Sequence, residues 1–193
     1  MMHPTHGRHV TVVLLTLTAM AAALSTPVLA QQAAPTRQTG PVIDKFGATF
    51  AVPESSVMPP RDGDYRVKFD VATSASDPSA VNPGIESVAR FLNMQVRAGV
   101  PATQMKLALV VHGSAGRDLL GHAGYKKRHG VDNPNLPLLD ALDRAGVRIY
   151  LCGQTAAGRG LGWDEIAPVA KVALSAMTAH AMLAREGYST NPF

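Results

Sequence analysis

The chain has 193 residues, with 18 Lys and Arg, 14 Asp and Glu and one cysteine, for a formal net charge of +4. So weak and scattered an excess excludes the dense basic face that nucleic-acid binding demands. A single cysteine excludes an intrachain disulfide, and with it disulfide cycling within one chain.

Arg8 and His9 precede an uncharged run over residues 10–24, Pro27 breaks it, and Val28-Leu29-Ala30 offers modest side chains where a signal peptidase reads. Residues 1–30 are therefore expected to be a secretory signal peptide. The run is shorter than the roughly 20 apolar residues that cross a bilayer. No stable membrane insertion is expected after cleavage, and the mature protein is expected to be periplasmic or secreted. Without Arg8 the balance is 17 basic against 14 acidic residues, a charge of +3. Residues 31–44 are polar and turn-rich, which predicts a flexible lead-in, and 45–193 are long enough for a single domain.

Residues 65–73, YRVKFDVAT, alternate and predict a first strand, with Lys68 and Asp70 on a less buried face or at an edge. Asn82-Pro83 opens a helix whose stripe is Ile85, Val88, Ala89, Leu92 and Val96, with Asn93 on the wetter side; Gly99 ends it. The nearly continuous apolar run KLALVVHG over 106–113 reads as a strand buried on both faces, the pattern of a covered parallel sheet. A short helix is predicted within 117–124. Lys126-Lys127-Arg128 reads as a solvated turn. A helix over 136–145, capped by Asn135, carries Leu138, Leu139 and Leu142 inward.

Residues 147–151 are the third strand, with Cys152-Gly153 at its exit and a glycine-rich loop expected over 154–163. Residues 169–174 predict a fourth strand, Ser175 a cap, and 176–186 a helix ended by Gly187, followed by a short extended piece to the C-terminus. Strand and helix alternate throughout. The fold class is therefore α/β, a mostly parallel sheet of four or five strands in three layers, covered by helices. The last helix is apolar or small around most of its circumference, more than one sheet face needs, which predicts a homo-oligomer.

Ligands gather at the carboxyl ends of parallel strands, so chemistry is expected at Cys152. A thiolate there would be the nucleophile, favoured by nearby positive charge such as Arg159 in the following loop. The same residue also fits as a small hydrophobe at the top of the core. His112 closes the neighbouring strand at equivalent height, either as a base for Cys152 or as a structural histidine bonded to a loop carbonyl. His112, His122 and Cys152 match no metal-ligand spacing, and His180 is expected to pack at an interface. Asp118, Asp140, Asp143, Asp164 and Glu165 read as surface or helix-end charges. No Walker or dinucleotide fingerprint is present, so neither cofactor nor metal is expected.

Several separated pieces, Val81-Asn82, Arg90-Phe91-Leu92-Asn93, Val111-His112-Gly113, VRIYLCGQ over 147–154 and ALSAMTAHAMLAREGY over 173–188, occur together with Pro192-Phe193. In this order they resemble the exported group of the DsrE-like family, over about residues 45–193. The resemblance implies a fold close to the YchN proteins, assembly as dimers, trimers or hexamers, and sulfur relay through a persulfidated cysteine. Cys152 is the position carried over, with His112 at a matching family position, and a small sulfur donor or a thiol acceptor as partner. The alternative is a non-enzymatic ligand-binding or assembly protein of the envelope in which Cys152 is merely packed.

Overall fold

The computed structural model describes residues 36–53 and 56–191; the expected signal peptide, and Pro192-Phe193, lie outside them. Among the described residues no helix is long and apolar enough to cross a membrane. The elements that build the sheet are β1 (Tyr65–Val71), α1 (Pro83–Arg97), β2 (Met105–Val111), α2 (His122–His129), α3 (Leu136–Arg144), β3 (Arg148–Cys152), α4 (Gly153–Gly158), β4 (Ala170–Ala173), α5 (Ala176–Arg185) and β5 (Ser189–Asn191). All strand pairs are parallel and the order is β4-β3-β2-β1-β5.

That order dictates where the helices lie. Stepping from β1 to β2 to β3 in one direction, right-handed crossovers place the intervening helices on one face; the return from β4 to β5 runs the other way and must carry α5 across the opposite face. The packing agrees. Phe69, Leu107, Leu109, Ile149 and Leu151 bury against Ile85, Val88, Leu92, Leu138, Leu139 and Leu142 of α1 and α3. On the other side Ala108 and Val110 meet Ala179 and Leu183 of α5 with Tyr188. Small side chains at 108 and 179 let α5 approach closely over the middle of that face.

Several expectations need correction. Lys68 and Asp70 do lie on the thinner face, but β1 is interior, because the final extended piece pairs with it as β5. Lys68 is only 5% exposed and donates from Nζ to the His180 carbonyl at 2.9 Å. Asn93 is fully buried: its side chain accepts from the Val42 and Ile43 amides and donates to the Ile43 and Phe46 carbonyls, pinning residues 42–46 across α1. Asn135 does not cap α3 with its side chain; Oδ1 instead accepts from the Asn82 amide at 2.7 Å. The basic triplet belongs to α2 rather than to a turn, with Arg128 2.7 Å from Glu165. The 154–163 stretch is not one loop, since it begins inside α4 and only Gly160 among its glycines has a positive φ.

Asn82 caps α1 as expected, its Oδ1 accepting from Gly84 and Ile85 amides. Its Nδ2 donates to the Thr73 carbonyl and to Asp118 Oδ2 at 2.6 Å. Asp118, expected at the surface, is 2% exposed, and Ser74 Oγ donates to its other oxygen. Burial pushes this carboxyl up from the usual Asp value, against the opposing pull of Asn82, Ser74 and Arg117. An acid raised on folding costs stability as pH climbs through the folded value, because the unfolded chain gives up its proton first. Asp118→Asn keeps an acceptor for Asn82 and removes the charge. Its urea midpoint should therefore gain on that of the native chain between about pH 4 and pH 7, and a constant difference across that range would contradict the assignment.

Candidate functional site

The β3–α4 junction has no connecting residue. Cys152 is the last residue of β3 and also the N-cap of α4, at φ −64 and ψ 116, so the chain passes from extended to helical at one position. The first amides of a helix lack intrahelical partners and turn toward the cap side chain. Here that side chain is sulfur, and Sγ accepts from the Thr155 N–H at 3.4 Å. Gly153 is required at the exit, since a Cβ there would stand 2.7 Å from the Ala173 carbonyl oxygen of the neighbouring strand.

A second helix start meets the same atom. β4 ends beside β3, with Ala173 in register with Cys152, and Ser175 caps α5 by accepting from the Thr178 amide at 3.0 Å. The Cys152 thiol is held below its ordinary value: burial pushes it up, and hydrogen bonds from the Thr155 side chain and from the Thr155, Ala176 and Gln154 amides outweigh that. Cys152 is 6% exposed, so it is not the open strand-end thiol that a glycine loop would have left. Ionisation is favoured by fixed amide and hydroxyl donors at the start of two helices. Arg159 is exposed at the C-terminal cap of α4, about 10 Å along the helix axis from Cys152 at 1.5 Å per residue. The charge-lowering part expected of Arg159 is taken by those donors.

His112 follows Val111, which is in register with Leu151, and continues in extended conformation at φ −150 and ψ −168. It stands next to Cys152 at the same height and on the α5 face, with adjacent strands about 4.8 Å apart. Its ring is tied to neither a loop carbonyl nor the sulfur: Nε2 lies 3.0 Å from Asp70 Oδ1, the oxygen that His180 Nε2 approaches at 2.9 Å from α5. Thr155 joins the two exits, because the Gly113 amide donates to its Oγ1 at 3.1 Å while its own amide caps with Cys152. Gly113 has φ +57, and a Cβ there would meet the Ala72 carbonyl oxygen at 2.5 Å. Among the described residues no group of three or more His, Cys, Asp and Glu could hold a metal ion.

Sequence reading thus missed Thr155, Asp70 and His180. Thr155 was legible as the third residue after a cap once Cys152 is read as that cap; Asp70 and His180 are brought together only by the α5 crossover. Thr155→Val keeps the amide and the side-chain volume and removes the hydroxyl. Alkylation of Cys152 at pH 7 should slow by about threefold to tenfold, the worth of one hydrogen bond, with circular dichroism unchanged. An unaltered rate would remove Thr155 from the site.

No curated protein sequence matches the chain. Among solved structures, a protein of unknown function from Methanobacterium thermoautotrophicum is 18% identical, the match covering 67% of this chain and 100% of that one at a TM-score of 0.48. The sequence pattern of the DsrE/DsrF-like family matches residues 66–191, from the second residue of β1 to the end of β5. Cys152, Thr155, His112, Asp70 and His180 all fall inside that span, and the chain belongs to the DsrE/DsrF-like family.

Proposed function

We propose that Cys152 receives sulfane sulfur as a persulfide and passes it to an external thiol. The observation that carries this reading is the placement of Cys152 as the cap of α4, where Sγ accepts from the Thr155 N–H at 3.4 Å and the thiol is held below its ordinary value despite burial. A relay needs one cysteine, because the transferred sulfur leaves with the acceptor, whereas a disulfide exchanger needs a resolving thiol. The protein acts, on this reading, in the periplasm or outside the cell after loss of residues 1–30.

Incubation of the reduced protein with an alkyl persulfide or polysulfide should add one sulfur atom per chain by intact mass, and a thiol acceptor should remove it. Cys152→Ser should abolish uptake with the thermal midpoint kept. The burial of Cys152 favours a second reading, an assembly or ligand-binding module in which sulfur only caps α4. Absence of any adduct, together with an alkylation midpoint at or above about 8.5, would decide for that second reading.

Both readings include self-association through the open side of α5 and the edge strand β4. Val172, Leu174, Met177 and Met182 are exposed there at 45%, 73%, 79% and 53%, an apolar group of a kind monomers rarely leave bare. Sedimentation of the native chain at micromolar concentration should give more than a monomer, and Leu174→Glu with Met177→Glu should return it to one. A native monomer would defeat this part.

A further inference from the structure

We propose that Asp70, shared by His112 and His180, is a positioning residue that sets His112 to carry the proton exchanged between the Cys152 thiol and the departing thiol of a sulfur donor. This rests on the sulfur-transfer reading and adds to it an acid–base device drawn from three neighbouring strands and α5.

The geometry is specific. Asp70 lies on β1, His112 one residue beyond β2, and Cys152 at the end of β3, three successive strands of the sheet. Asp70 is in register with Val110, and Val110 with Tyr150, so His112 and Cys152 each stand two residues further along on the same face. The carboxylate Oδ1 has an Nε2 on each side, at 3.0 Å from His112 and 2.9 Å from His180. An ionised carboxylate only accepts hydrogen bonds, so a ring bonded to it, as His180 is, presents Nε2–H. With Nε2–H toward the carboxylate, neutral His112 keeps Nδ1 as its one acceptor. Burial pushes the Asp70 carboxyl up, but hydrogen bonds from His180 and then His112 more than compensate, and it stays ionised at neutral pH. Lys68 bonds the His180 carbonyl and so holds α5 in place at the residue that completes the bridge.

The arrangement is a thiol, an imidazole borne at the same height by the adjacent strand, and a carboxylate against that imidazole, the order in which a nucleophile, its base and the orienting group are found in acyl-transfer enzymes. In the sulfur-transfer step, His112 Nδ1 takes the proton of Cys152 S–H. The thiolate attacks the terminal sulfur of a donor R–S–SH, forming the Cys152 S–S bond as the R–S to S bond breaks. The electron pair leaves on RS, which takes the proton back from His112 as RSH, while Cys152 keeps S–SH. No electrons are gained or lost overall. Thiosulfate would expel sulfite, a stable anion that needs no proton. Return of that proton therefore matters for donors that leave as basic thiols, whereas with thiosulfate His112 only takes the Cys152 proton.

The test uses the full chain and compares Asp70→Asn, His112→Gln, His180→Ala and His180→Gln with the native protein. Sulfur uptake is followed by intact mass from a series of alkyl and aryl persulfides of graded thiol basicity, with thiosulfate alongside. Asp70→Asn and His112→Gln should slow uptake from the most basic alkyl donor by about a hundredfold, the low end of general acid–base contributions. They should steepen the dependence on leaving-thiol basicity and slow thiosulfate much less than the basic alkyl donor. His180→Gln, which retains an amide donor for Asp70, should recover most of the rate lost in His180→Ala. An unchanged dependence on leaving-thiol basicity in Asp70→Asn overturns the proposal, whether its overall rate is native or uniformly reduced. If the native chain takes sulfur from no donor, the sulfur-transfer reading fails and the relay with it; if it takes sulfur normally and Asp70→Asn does too, only the relay fails.

Discussion

The sulfur of Cys152 serves at once as the end of a strand and the cap of a helix, and the chemistry of the carboxyl edge follows from that double duty. A neutral thiol is a weak acceptor for the first amides of α4, whereas a thiolate is a strong one, so ionisation improves the cap. Because the folded thiol value is lowered, this contribution to stability is fully present above the unfolded thiol value and is lost as pH falls through the folded one. The same hydrogen bonds that complete the helix therefore prepare the nucleophile, and they exist only in the folded chain.

Topology supplies what α4 alone would not. A six-residue helix is too short for its backbone dipole to dominate the site. The return of the chain from β4 to β5 lays α5 over the second face and starts it beside β3, which brings the Ala176 amide to the same sulfur. Four residues later on α5, His180 lies one turn further along and reaches Asp70 on β1. One crossover thus contributes both a donor to the sulfur and a partner to the carboxylate, which ties the placement of Asp70 and His112 to the packing of Ala179 and Leu183 on Ala108 and Val110.

The sheet was readable in the sequence because its strands are short apolar runs between strong stops, and the stripes of α1 and α3 follow helical spacing without interruption. Asn82 and Ser175 were readable as caps for the same reason, since their side chains act on amides two or three residues away. The misread positions are those whose partners are distant. Asn93 looks solvated until the backbone of residues 42–47 is laid across it, 46 to 51 residues earlier in the chain. β5 is Ser-Thr-Asn, three polar residues with no periodicity, and becomes a strand because β1 presents a free edge. The glycines after Cys152 indicate a loop by composition alone; Ala156, fully buried against the main core, makes the first six residues a helix instead. Asp70 and His180 are 110 residues apart, beyond any local pattern.

Donors fixed in the backbone differ physically from the guanidinium that the sequence put forward for the same purpose. An exposed Arg159 is a mobile charge, screened over roughly 8 Å at physiological ionic strength, and its influence would vary with salt and with whatever partner approached. Amides at the starts of α4 and α5 cannot move without unfolding a turn, and that of Thr155 donates to the sulfur at 3.4 Å in a residue only 6% exposed, where little solvent competes. Such a site keeps its thiol polarised while surface residues change freely around it. Recognition is then left to the periphery: the half-exposed His112–Asp70–His180 bridge on one side of the sulfur and the apolar rim of Leu174 and Met177 on the other. The rim follows from the same topology, because one helix cannot cover a five-stranded face from edge to edge. β4 is an edge strand of the sheet, and it is the strand that ends beside Cys152.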